Sequence, residues 1–74
     1  MRANYNKLWK KLIDLNMKKY HLREQAHISS NVMAKLGKNE YVSMEILSKI
    51  CDCLNCNIGD ICEFEKNQGV KKND

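Results

Sequence analysis

At 74 residues the chain is one domain at most, close to the smallest size at which a single core sustains a fold. Its 43% hydrophobic content includes no apolar run of membrane-spanning length and no secretory leader, which argues against a transmembrane protein and makes the cytoplasm the expected location; no proline and only 7% aromatics favour an all-α class. Residues 1–38 carry nine Lys/Arg against Asp14 and Glu24, a net +7, whereas residues 39–74 carry four against seven acids, a net −3, so one half suits a polyanion and the other is free to pack against protein.

Residues 1–5 read as a short arm holding Arg2, followed by a helix over residues 6–16. Leu8, Leu12 and Leu15 recur at i, i+4, i+7 with Trp9 and Ile13 beside them, which gives one broad core stripe. Lys7, Lys10, Lys11 and Asp14 lie around the other side as a solvated face from which a lysine can touch phosphate. Asn16 and Met17 break the helix. Lys18 and Lys19 then stand at the start of a second one, where backbone N–H groups and ammonium groups converge into a phosphate clamp, although neither lysine offers a side-chain cap.

The stretch LREQAHISSNVMAKLGKN, residues 22–39, reads as helix, tight turn, helix. Leu22 and Ala26 share a face, and the small Ala26 admits a crossing helix; Ile28 plugs the corner. Ser29 can cap the second helix, whose buried face is Met33 and Leu36, with Val32 at its border. Asn31, Ala34, Lys35 and Lys38 point the opposite way, with Ser30 at the leading edge and residues 37–39 as the stop. An amide, a hydroxyl and two lysines on the outer side of a helix suit the DNA major groove, where Asn pairs with adenine and Lys with guanine acceptors for about 1–3 kcal/mol each. The competing account of these residues is an ordinary solvated face.

After a loop at residues 40–42, Ser43 caps a fourth helix with Glu45 in its first turn, and Leu47, Ile50 and Leu54 form its stripe with Ile46 and Cys51 flanking. Residues 55–57 turn, and Asn57 caps a final helix over residues 58–62 anchored by Ile58, Ile61 and Phe64. The folded domain is thus expected over residues 1–64, with residues 65–74 as a flexible tail that has little to bury.

The four cysteines do not read as a metal site. Cys51 and Cys53 are two apart on a helix and project about 200° from each other, so they cannot face one ion. Free thiols at Cys51, Cys56 and Cys62 are the expectation, with Cys53 oxidisable if exposed. His21 and His27 are six apart with no nucleophile or carboxylate pattern, so neither a catalytic residue nor a metal ligand is expected and the chain does not read as an enzyme.

The order of these helices resembles the Xre/Cro-type helix-turn-helix family, the phage-repressor-like transcriptional regulators. The resemblance spans roughly residues 5–64 and is carried by Leu and Ala in the second helix, the IS turn, an apolar pair three apart in the third, a capped fourth helix and the IGDI segment. The LGKNEYVS stretch and the length resemble a compact subgroup of regulators found in bacteria and their mobile elements. The resemblance implies a compact five-helix, lambda-repressor-like domain that binds double-stranded DNA as a homodimer on an inverted repeat, as a repressor or activator, with no cofactor and no evident small-molecule ligand. By position it implies base contacts from Ser30, Asn31 and Lys35, a recognition-helix cap at Ser29, phosphate contact at Lys19, and backbone proximity at Lys38 and Asn39. His27 departs from the pattern where glycine is common, and Lys18 where Ser or Thr is common. A different class stays open: a helix-turn-helix adaptor or antitoxin whose acidic second half grips another protein.

Overall fold

The computed structural model describes residues 1–66. Its two ends meet first. Strand β1 (Arg2–Asn4) pairs antiparallel with β2 (Glu63–Glu65), with Ala3 opposite Phe64. The pairing is locked at its edge by Arg2 and Asn4, whose side chains both donate to the Glu65 carboxylate. Between the strands run α1 (Asn6–Asp14), α2 (Lys19–Ala26), α3 (Ser30–Gly37), α4 (Met44–Leu54) and a single 3-10 turn (Ile58–Asp60).

The domain is therefore mostly helical, with four α-helices and a small two-stranded sheet, and it is neither all-α nor five-helical. The expected fifth helix shrinks to the 3-10 turn. Asn57 does cap it, with its Oδ1 accepting from the Ile58 N–H, and the Asp60 carboxylate accepts in return from the Asn57 N–H. Glu63, Phe64 and Glu65 then run as a strand whose backbone groups pair with β1. Residues 2–4 of the expected short arm are accordingly a strand, and Glu65 lies in its partner. The expected tail beyond residue 66 lies outside the described residues.

One fully buried side chain from each helix meets at the centre: Leu8 of α1, Leu22 of α2, Leu36 of α3 and Ile50 of α4, joined by Tyr5 and Ile61. Each such residue stabilises the fold by about 1.5–3 kcal/mol relative to exposure. Two members of the expected α1 stripe are not there. Leu15 is 52% exposed because α1 stops at Asp14 and Asn16 turns left-handed (φ 56°), so the third step of the stripe is never taken; Ile13, inside the helix but about 100° round from Leu12, is 76% exposed. Phe64 is 65% exposed on the sheet. No helix among the described residues is long and apolar enough to cross a membrane.

Left-handed residues end three further segments: His27 after α2, Asn39 after α3 and Asn55 after α4, each with φ between 53° and 58°. Asn and His tolerate this conformation better than most side chains, which is why the turns close without glycine.

Candidate nucleic-acid interface

The helix-turn-helix is built by local chemistry. At its entry Lys18 is extended (φ −85°, ψ 160°) and has no oxygen to offer the first turn of α2. His21 bonds back from inside the helix to the other group at this end: its Nδ1 accepts from the N–H of Lys18 itself at 3.2 Å. The Lys18 side chain remains exposed. Lys19 is exposed too, but its ammonium lies 4.4 Å from the centroid of the Trp9 ring on α1, a cation–π contact that fixes where this charge sits.

The corner follows the expectation closely. His27 takes the left-handed conformation, the Ile28 N–H reaches back to the Arg23 carbonyl at 3.1 Å, and Ile28 and Ala26 are buried. Ser29 then caps α3, with its Oγ accepting from the Val32 N–H at 3.2 Å. Such a cap contributes about 1 kcal/mol and uses one lone pair of the hydroxyl, whose O–H stays able to donate.

On α3 the inner side is Leu36, fully buried, flanked by half-buried Val32 and Met33. Ser30, Asn31, Ala34 and Lys35 are all exposed. The ion pairs among the described residues, Arg2–Glu65 and Lys7–Glu63, involve none of Lys18, Lys35 and Lys38. The arrangement is a rigid cylinder pinned by one leucine, presenting a hydroxyl, a carboxamide and an ammonium outward, with further cations at both of its approaches.

Asn39 is also held by the fold. It is half-buried and left-handed, and its Oδ1 accepts from the Tyr5 backbone N–H at 3.2 Å. Its carboxamide is tied to the protein rather than presented outward like Asn31. The Trp9–Lys19 stack and the Tyr5–Asn39 bond were both invisible in the sequence, since each joins residues from separate elements with no shared periodicity.

Elsewhere, the cysteines are free and half-buried. Burial pushes the thiols of Cys51, Cys53 and Cys62 up from their ordinary range, with the Cys56 thiol adding to the effect at Cys51. Cys53 faces the Gln25 Oε1 at 3.7 Å. Among the described residues no group of three or more His, Cys, Asp or Glu is placed to hold a metal ion. An open apolar groove of about 580 Å³ lies beside the sheet, with Met1, Tyr41, Met44, Ile58 and Phe64 exposed around it.

The Cro/C1-type HTH DNA-binding domain model matches residues 7–67. Among solved structures, the chain resembles the crystal structure of transcriptional regulator VanUg, Form II, at 58% identity and a TM-score of 0.82, over 84% of this chain and 83% of that one. A comparison with curated proteins finds no match.

Proposed function

The chain belongs to the Cro/C1-type helix-turn-helix DNA-binding domain family, and from that premise we propose that it is a sequence-specific transcriptional regulator reading duplex DNA with α3 in the major groove. The observation that carries this reading is the pairing of outward Asn31 and Lys35 with inward Leu36 on one short helix. Asn31 and Lys35 would read base edges, Ser30 would assist at the leading edge, and Lys18, Lys19 and Lys38 would hold phosphates. Ser29 acts through its cap. No step of bond-making is involved, in keeping with a non-enzymatic family.

The proposed assembly is a homodimer on an inverted repeat, with half-site centres about 34 Å apart, regulating transcription by occupying the site. Its seam would be the apolar groove, because a contiguous exposed apolar face is unusual on a small monomer. Ile61 is fully buried and closes the monomer's own core, which leaves Phe64, Tyr41, Met44 and Met1 for a partner.

Selection of bound duplexes from a random pool tests the reading, together with the salt dependence of binding. A two-fold symmetric enriched sequence is expected. If a dimer neutralises about six phosphates, log K against log salt should have a slope near −5. No enrichment, and no duplex binding at low salt, would overturn it in favour of a protein-binding adaptor or antitoxin, the reading that the same apolar groove would then favour.

A further inference from the structure

The first five residues of the chain hold the end of α3. The Tyr5 N–H donates to the Asn39 Oδ1 at 3.2 Å, the Tyr5 hydroxyl donates to the Glu40 carbonyl at 2.7 Å, and the Tyr41 hydroxyl donates to the Met1 carbonyl at 2.7 Å. Three bonds therefore cross between residues 1–5 and the three residues 39–41 just beyond the helix proposed to read DNA. Within that loop, the Asn39 N–H returns to the Leu36 carbonyl at 3.1 Å and the Glu40 N–H to the Lys35 carbonyl at 2.9 Å. The last turn of α3 is thus closed by residues that are themselves fastened to Tyr5.

We propose that Tyr5 and Asn39 are positioning residues for DNA reading: together they fix the C-terminal end of α3, and so the angle at which Asn31 and Lys35 meet base edges. The proposal rests on the DNA-reading function above. Tyr5 is 1% exposed and cannot touch DNA itself. Its hydroxyl adds nothing that packing requires, since a phenyl ring fills the same space; the hydroxyl's work is to hold the Glu40 carbonyl. Asn39 meets a double demand, a side chain that accepts φ 58° and an oxygen that reaches Tyr5. A pair of base contacts specifies sequence only if both arrive in register, whereas phosphate contacts tolerate a small tilt. Loosening the clamp should therefore reduce discrimination more than general affinity.

Tyr5→Phe removes one bond, and Asn39→Gly removes the other while keeping the left-handed turn accessible. Each variant is compared with wild type by circular dichroism, and by its affinity for a duplex selected from a random pool by the wild-type protein and for a scrambled duplex of the same length. Both should remain folded at 25 °C, bind the selected duplex about tenfold more weakly, and change by less than about twofold on the scrambled one. Equal losses on both duplexes, or no change in their ratio for folded Tyr5→Phe, would overturn the proposal. Amide hydrogen exchange in the wild-type protein provides the arm that does not depend on a variant folding: the Tyr5 amide should stay protected in the complex, and fast exchange there would show the clamp open during reading and sink the idea. If the wild-type protein selects no duplex, it is the DNA-reading function that fails; if it selects one and the ratio does not move, only the clamp does.

Discussion

Asn31 and Lys35 carry the finest claim, because both are exposed on α3 and Lys35 is in neither ion pair among the described residues. Replacing either with Ala should cost about 1–3 kcal/mol on the selected duplex and relax preference at particular base positions, read by repeating the selection with each variant. Lys19→Ala should behave differently. Its charge is held on the Trp9 ring near the start of α2, so its loss should weaken all sequences alike and reduce the salt slope by about one. A sequence-selective effect from Lys19 would move that residue from backbone to base contact. These roles were legible in the sequence to the extent that they follow from spacing: the outward set on α3 is where a 3.6-residue period puts it. Asn39 was not. Its proximity to Tyr5 arises from a contact 34 residues away in the chain, which no local pattern encodes.

The α2 entry shows what one element gains and lacks. Lys18 has the extended backbone of an N-cap but no acceptor, and His21 bonds back to the Lys18 N–H. Lys18→Ser should supply the absent acceptor, stabilise the domain by about 1 kcal/mol, and raise Tm by roughly 4–8 °C, while weakening DNA binding uniformly through the lost cation. Thermal denaturation and binding to a scrambled duplex read the two effects separately; a higher Tm with unchanged binding would remove Lys18 from the phosphate contacts. Caps were the most readable features of the chain, since Ser29, Ser43 and Asn57 bond groups within three residues of themselves. Helix lengths were less so. The apolar period of α1 runs on into Leu15 although the helix has ended, and an alternation of only three residues, Glu63 to Glu65, is too short to outvote the apolar spacing before it. The missing strand partner lay at the opposite end of the chain.

For the whole molecule, burial sets the alkaline limit. Tyr5, Cys51, Cys53 and Cys62 all have their ionisation pushed up, burial being the first cause in each. Raised folded values mean that the stability these groups contribute is complete below their ordinary values and is lost as pH rises through the raised ones. Tm should therefore be level near neutrality and decline above about pH 9, the ordinary thiol value. An unchanged Tm across that range would show that the groups ionise freely in the fold. Association is a second property at this scale: under the proposed homodimer, Phe64→Glu, at a ring that is already mostly solvated, should give a monomer in sedimentation and remove the concentration dependence of Tm. Persistence of the dimer would move its seam off the sheet. The sheet also governs kinetics. Arg2 and Glu65 meet across 63 residues, whereas the helix-turn-helix corner closes over a handful. Loop-closure entropy makes that long-range pairing the last to assemble and the first to open, so a transient fluctuation releases the strand ends well before the helices part. Pulse-labelling during refolding should find the Leu22 and Leu36 amides sheltered before Ala3, and the working angle of α3 would then be the final thing the protein acquires.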